Sequence, residues 1–372
     1  MKPRTRDLNI RIGQLQPGPL NAITDVPGVR VGHSNVRGRS AVGRDICTGV
    51  TVIEPRRGST NQQPCFAGVH VLNGNGDATG LEWIREAGLL TSPIAFTNTH
   101  SLGVVRDALI ALDRQQQPDD GRLYWNMPVV LETFDGLLND INGFHVKPEH
   151  VAEALDSAHD GAVEEGAVGG GSGMICHEFK GGIGSASRRL SSAQGGWTVG
   201  AIVQANHGIR SELRVDGYPV GRYMEQVDSP FLRASLPHPG MGSIVVCLAT
   251  DAPLLPHQCT RLAQRASLGL ARSGGGNEDH SGDIFIAFAT GNEQVPPAAY
   301  EGKGAPTCDG LRMVNNDHIS ELFLAATEAV EESIINALLA SESTEGNGHA
   351  VPGLDKETLL AALAKAGWPG SR

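Results

Sequence analysis

Short apolar runs broken by Gly, Pro and polar clusters dominate this chain, and only a few stretches carry the 3.6-residue period of an amphipathic helix. Residues 50–54, 68–72, 127–132 (MPVVLE), 197–205 (WTVGAIVQA), 244–250 and 283–290 read as strands, and 21–33 (NAITDVPGVRVGH) as strand and turn. Helical spacing predicts helices over 80–90, where Leu81, Trp83 and Ile84 oppose Glu82, Arg85 and Glu86, and over 149–165, 254–272 and 354–366. The strongest period joins Ile319, Leu322, Phe323, Ala326, Ala329 and Val330 on one face, with acidic residues within 327–332 and a small-residue end that suits packing on a sheet. Glycine-dense segments at 166–184 and 273–282, and a proline-bearing polar connector from about 207 to 242, separate these elements. Residues 341–352 read as a mobile loop. Strands follow one another too closely for a doubly wound parallel sheet. The pattern predicts an α/β fold of stacked sheets flanked by helices, in one domain over 1–372.

Composition narrows the function classes. Of 372 residues, 40% are apolar and 19% charged, so the chain can bury a sizeable core. A net charge of −11 disfavours nucleic-acid and anionic-membrane partners and suits a cationic ligand such as a free amine. Six scattered cysteines (Cys47, Cys65, Cys176, Cys247, Cys259, Cys308) form no CxxC pair and read as free, buried thiols in a reducing compartment. The start, MKPRTRDLNIRIG, lacks an apolar core segment, and no apolar run approaches the roughly 20 residues of a membrane helix. A cytoplasmic address is expected.

Several chemistries fail at the motif level. There is no GxxxxGK[ST], since Lys180 is followed by Gly181, and no GxGxxG at a strand–helix junction. No GxSxG elbow occurs. The thirteen histidines contain no HExxH, and His177-Glu178 stands alone, so no metal site is expected. The glycine stretch reads as structural, with backbone lining a pocket as a further role.

One junction remains. Pro239-Gly240-Met241-Gly242-Ser243 runs straight into the apolar run Ile244–Ala249. Four other Gly-Ser pairs occur, mostly as turns, but only Gly242-Ser243 leads directly into a buried-strand pattern. Gly242 has no Cβ and lets the peptide before Ser243 twist, so the Ser243 hydroxyl can attack the Gly242 carbonyl and break the chain. The serine so released carries a free α-amine of pKa about 7.7, suited to act as base toward its own hydroxyl. Three further features bear on this chemistry. Asn206, closing a strand in VQANHG, can aim an amide N–H at an oxyanion, or simply sit in a turn before Gly208. Ser281 and Asp283, two apart at a strand start, share a face and can relay hydrogen bonds to a nearby amine, or form an ordinary turn. Glu132, ending the apolar run of VVLETFDG, can hold a substrate ammonium or be solvated.

Taken together, the chain resembles the DmpA/BapA family of N-terminal-nucleophile aminopeptidases: L-aminopeptidase/D-esterase-amidases and β-peptidyl aminopeptidases. The resemblance rests on AITDVPGVRVGH (22–33), NGNG (73–76), TNTHSLG (97–103), ETFDG (132–136), GGGSGMICHEFKGGIGSASR (169–188), VQANHG (203–208), GMGSIVV (240–246) and HSGDIFIAFAT (280–290). It implies an αββα sandwich made as a precursor and cut between Gly242 and Ser243 into an α-chain, 1–242, and a β-chain, 243–372, which assemble as a tetramer of heterodimers. It implies Ser243 as nucleophile, Asn206 in the oxyanion hole, Ser281 and Asp283 orienting the Ser243 amine and hydroxyl, and Glu132 holding the substrate's amino group. No metal or organic cofactor is implied. Asp283 stands where β-peptidyl aminopeptidases often carry Glu, and Phe134 replaces the tyrosine of ETYDG in some relatives, so no tyrosine hydroxyl is available there. The implied substrates are small peptides, amides or esters with a free amino group, of α-, β- or D-residues. Alternatives are an acyltransferase related to ornithine acetyltransferase, which typically exposes threonine rather than serine, an ω-amino-acid oligomer hydrolase, and an uncut, non-catalytic oligomeric binding protein.

Overall fold

The structure is a computed structural model, described here for residues 2–117, 123–231, 242–297 and 309–370. In chain order the strands and helices are β1 (Arg30–Arg39), β2 (Asp45–Glu54), β3 (Cys65–Gly74), α1 (Leu81–Ala87), β4 (Leu89–Leu90), β5 (Ile94–Asn98), α2 (Leu102–Gln116), β6 (Val129–Thr133), α3 (Pro148–Asp156), β7 (Ile175–Cys176), β8 (Phe179–Lys180), β9 (Gly182–Arg189), β10 (Thr198–Asn206), β11 (Ser243–Thr250), α4 (Pro256–Ala263), α5 (Ala266–Ser273), β12 (Gly282–Ala289), α6 (Ser320–Ala340), β13 (Thr344–Gly346), β14 (His349–Val351) and α7 (Lys356–Lys365). Among the described residues they build a four-stranded sheet, β1-β2-β5-β6, and a six-stranded sheet, β4-β3-β12-β11-β10-β9.

Side-chain alternation shows how the layers stack. Along β11, Val245, Cys247 and Ala249 enter the core between the sheets, whereas Ile244, Val246 and Leu248 join the core under α4–α7. In β12, Ile284, Ile286 and Phe288 face the first core, and Phe285 and Ala287 the second. Strands buried on both faces need apolar residues at every position, which explains the unbroken runs in the sequence. A third core joins Val50, Val52, Ala95 and Val130 to Val105, Leu109 and Val151 of α2 and α3. The order is helix, sheet, sheet, helix, the predicted αββα sandwich. Each sheet holds one parallel pair joined by a helical crossover, β5-α2-β6 and β11-α4-α5-β12, as parallel strands require.

Four expectations need correction. The helix expected over 80–90 ends at Ala87, and Leu89–Leu90 pair with β3 as β4. The helix expected over 149–165 ends at Asp156, because His159 leaves to exchange backbone hydrogen bonds with Val31 of β1. The helix expected over 254–272 divides into α4 and α5, where Arg265, Ser267 and Leu268 bond three residues back rather than four. Residues 341–352 are not a loop but contain the β13–β14 hairpin, with Lys180 donating its backbone N–H to Pro352 O. The glycine stretch also conceals a full strand, β9. There Gly184 sits so close to α6 that a Cβ would lie 1.9 Å from Ser333 O. Of the proline connector, residues 232–241 lie outside the described residues.

Candidate active site

The two sheets bring their ends together at one place. Gln204 of β10 crosses between them, donating to Thr97 O of β5 and Thr133 Oγ1 of β6, both at 2.9 Å. This ties the end of β6, with Glu132 and Phe134, to the end of β10 and the starts of β11 and β12. Asn206 and Ser243 lie directly opposite each other across the β10–β11 ladder, so they share a face. Gly242 explains its own identity here. A Cβ on it would lie 1.8 Å from Asn206 O, so close packing excludes a side chain. Close approach to Asn206 O is thus one demand for glycine at this position.

Around Ser243 the hydrogen bonds are few and directed. Gly282 N–H donates to Ser243 Oγ at 3.0 Å. Ser281 Oγ donates to Asp283 Oδ1 at 2.5 Å, while Asp283 Oδ2 is buried with no partner. Burial pushes the Asp283 carboxyl up to about 6, against the lowering effect of the Ser281 and Ile244 hydrogen bonds. Asp283 aligns with Ile244, next to Ser243, across the β11–β12 ladder. The Asn206 amide is oriented by two backbone partners: Ile175 N–H donates to its Oδ1 at 2.7 Å, and its Nδ2 donates to Phe134 O at 2.9 Å. One N–H of Nδ2 is thus used to hold the group, and the other is left to a ligand.

Glu132 is buried. Its Oε1 accepts Asp77 N–H at 2.8 Å and its Oε2 accepts the Thr99 hydroxyl. Burial raises its pKa and those two hydrogen bonds oppose the rise. Gly76 lies between the carboxylate and the serine side of the site. A Cβ there would sit 3.2 Å from both Glu132 Oε1 and Gly282 Cα. Beside it opens a cavity of about 370 Å³ lined by Val71, Gly76, Asp77, Met127 and Ile284 among others. Phe134 takes part through its carbonyl, and its ring is exposed.

Sequence reasoning missed Asn73 and Thr99. Asn73 Nδ2 gathers the carbonyls of Glu278, Asp279 and Ser281 (3.1, 2.8 and 2.6 Å) and so pins the approach to β12. It does this beside a bulge, where Asp283 pairs Asn73 but Ile284 pairs Val71. Both residues fall in strings the resemblance used, NGNG and TNTHSLG, and that was their only signal. The five described cysteines are free and buried, and Cys308 lies outside the described residues. Cys176, His177 and His207, which no sequence motif joins, converge with one possible ligand atom from each within 4.8 Å of the others. Among the described residues no helix is long and apolar enough to cross a membrane.

This fold and site define a serine aminopeptidase of the N-terminal-nucleophile class. The sequence profile described as Peptidase family S58 matches residues 21–351, and the chain belongs to that family, the DmpA/BapA aminopeptidases. It is 44% identical to the beta-peptidyl aminopeptidase BapA of Sphingosinicella microcystinivorans, over 98% of this chain and 92% of the relative. A solved Burkholderia sp. beta-aminopeptidase superposes with TM-score 0.93 at 65% identity, covering 98% of this chain and 99% of that one. The L-aminopeptidase D-Ala-esterase/amidase of Ochrobactrum anthropi, described as a prototype for the serine aminopeptidases and a variant of the Ntn hydrolase fold, superposes with TM-score 0.88 at 43% identity over 98% and 99% of the two chains.

Proposed function

We propose that this aminopeptidase matures by breaking its own Gly242–Ser243 bond and then uses Ser243 as nucleophile, general base and acyl carrier in one residue. The observation that carries this reading is the Ser243 hydroxyl at the start of β11, held by Gly282 N–H and aligned beside a carboxylate with one partnerless oxygen. In the first stage Ser243 Oγ attacks the Gly242 carbonyl, the acyl group moves from nitrogen to oxygen, and the amide nitrogen leaves as an amine. Water hydrolyses the ester, leaving a Gly242 carboxylate and a free Ser243 α-amine. The chain is then an α-chain, 1–242, and a β-chain, 243–372, within one folded domain.

In turnover the α-amine takes the hydroxyl proton as Oγ attacks the substrate carbonyl. The free Asn206 N–H and neighbouring backbone donors stabilise the oxyanion, an effect of about 2.7–4 kcal/mol for a well-placed donor. The ammonium returns the proton to the leaving amine or alcohol, and water releases the acyl group by the same route. Ser281 and Asp283 orient the new amine. Glu132 receives the substrate ammonium, so N-blocked substrates lose an ion pair in a dry pocket. The names of the relatives include β-peptidyl, L-aminopeptidase and D-Ala-esterase/amidase activities, so L-, D- and β-residues all stand among the small peptides, amides and esters accepted. Phe134 borders the entrance. Buried free thiols suit a reducing compartment such as the cytoplasm, and the processed chains form a tetramer of heterodimers.

The test is direct. Mass spectrometry of active wild type should show two chains, the smaller beginning at Ser243, and Ser243→Ala should remain one 39.1 kDa chain with activity lost by about 10⁶-fold. Full activity in an intact chain would overturn the reading.

A further inference from the structure

Behind Asn206, on the side away from Ser243's chemistry, lies a second polar cluster that the proposed cycle does not use. Cys176 ends β7, His177 follows it in the β7–β8 turn, and His207 follows Asn206; all three side chains are buried. Cys176 Sγ lies 3.8 Å from His207 Nδ1. The two imidazoles meet edge to face with centroids 5.1 Å apart, and one ligand atom from each of the three residues falls within 4.8 Å of the others. His177 Nδ1 is paired with Ile209 O at 3.0 Å, so Nε2 is the ring atom left for the cluster. His177 Nε2 and His207 Nε2 are both buried without a hydrogen-bond partner. Burial lowers the pKa of both rings, His177 to about 4, which leaves neutral imidazoles with lone pairs at neutral pH. His177 and Glu178 also hold left-handed backbone (φ 48° and 62°) that a two-residue hairpin usually assigns to Asn-Gly.

We propose that Cys176 Sγ, His177 Nε2 and a His207 ring nitrogen form a three-coordinate site for one thiophilic monovalent cation, of the copper(I) type. Soft thiolate and imidazole donors with no carboxylate or carbonyl select such ions over magnesium or calcium. Trigonal bonds of about 2.3 Å to sulfur and 2.0 Å to nitrogen place the two ligand atoms about 3.7 Å apart, close to the 3.8 Å between Sγ and Nδ1. Charge decides between mono- and divalent ions. A thiolate and a monovalent ion sum to zero, whereas a divalent ion leaves net charge in a dry pocket. Of the charged groups around the ligands, Lys180 lies by Cys176 and Glu178 lies by His177, with Arg210 as the partner of Glu178. Binding exchanges the thiol proton for the ion, and the proton leaves to solvent. Two of the ligands flank the supports of Asn206: Ile175 N–H holds its Oδ1, and His177 N–H donates to His207 O at 2.7 Å. Loading therefore stiffens the strand ends that carry Asn206.

The experiment is an anaerobic copper(I) titration of the full chain against a chromogenic copper(I) chelator, with X-ray absorption at the copper edge. The expected result is one ion per chain, bound to one sulfur and two nitrogens, with affinity lowered about 10²-fold or more in Cys176→Ser and in His177→Gln. His177→Gln serves if Cys176→Ser does not fold, as judged by circular dichroism. Failure of wild type to compete with the chelator, a two-sulfur signal, or affinity unchanged in a folded variant would overturn the site. Uptake of zinc(II) in preference to copper(I) would overturn the monovalent assignment. None of these readouts depends on cleavage at Ser243.

Discussion

Two buried charged regions of this molecule sit on the same six-stranded sheet and obey opposite rules. Under β9, Arg188 donates to Glu328 Oε2, to Ser187 O and to Ile12 O, and pairs Glu332 Oε2 at 2.7 Å. Glu332 also accepts from Thr5, Arg6 and Asn21. Burial alone would raise its pKa, but Arg188 and Arg6 outweigh burial and hold it below the usual range. At the start of β12, Asp283 accepts from Ser281 and the Ile244 backbone while its Oδ2 has no partner, and its pKa is pushed up to about 6. A satisfied network fastens α6 and the N-terminal segment to the sheet. An unsatisfied one leaves a demand that the Ser243 amine freed by the proposed cleavage would meet.

Removing Asp283 should separate the regions most sharply. Asp283→Asn should slow both cleavage and turnover by about 10³-fold or more, since the amine loses the carboxylate that orients it. It should also stabilise the uncut chain. A raised folded pKa means the folded state holds its proton more tightly, so the penalty begins above the ordinary 3.8 and is complete above about 6. By linkage this is at most about 3 kcal/mol at pH 7. Urea unfolding of Ser243→Ala with and without Asp283→Asn, at pH 7 and pH 4, checks it. The gain should be present at pH 7 and nearly absent at pH 4.

Arg188→Met should do the reverse, costing about 3–5 kcal/mol because Glu328 and Glu332 lose their shared cation. The folded fraction should still cleave and turn over at the wild-type rate. The Glu332 contribution is present above its ordinary 4.5 and is lost as pH falls through its lowered folded value. Urea midpoints read beside active-site titration separate stability from chemistry. A loss of kcat in the folded enzyme would show that the two regions are not independent.

How much of this was legible beforehand follows from what kind of contact each residue makes. Ser243, Asn206, Asp283 and Glu132 stand at ends of apolar runs, and those runs alone put them at strand ends. Only the family resemblance implied their convergence, because Gln204 and Asn73 tie these ends together through partners far away in sequence. The sequence marks Gly242 for backbone freedom, and its close approach to Asn206 O is a distance that no local pattern encodes. The α3 helix was overextended because His159 prefers a bridge to β1 over another helical turn. The Cys176–His177–His207 cluster escaped because its ligands are 31 residues apart at the far points, outside any short motif.

The carboxylate on the other sheet should show a smaller and different effect. Glu132→Gln should raise KM by roughly 10–100-fold, the scale of a hydrogen bond to a charged group, with chain cleavage intact. Discrimination against N-acetylated substrates should narrow by the same factor. With wild type, kcat/KM should rise with pH as the Ser243 amine, near pH 7.7 when unperturbed, gives up its proton, and fall as the substrate ammonium does. A Glu132→Gln enzyme that keeps wild-type KM for free amines would remove Glu132 from the binding role.

Gly76 offers the finest division, because it stands between the two carboxylate regions of the site. A methyl group there would press on Glu132 Oε1 and on Gly282 Cα equally, at 3.2 Å each, tight contacts that neighbours must relieve by small shifts. Overpacking of this order costs about 1–3 kcal/mol, and the question is which side pays. Glu132 is held by two hydrogen bonds, from Asp77 N–H and Thr99, whereas Gly282 is fixed in the β12 ladder and gives its N–H to Ser243. The softer side should yield, so Gly76→Ala should raise KM several-fold for free-amine substrates while kcat stays within about twofold and the Gly242–Ser243 bond is still cut in full. A fall in kcat with KM unchanged would mean instead that the Gly282 donor moves first and that Gly76 supports the nucleophile.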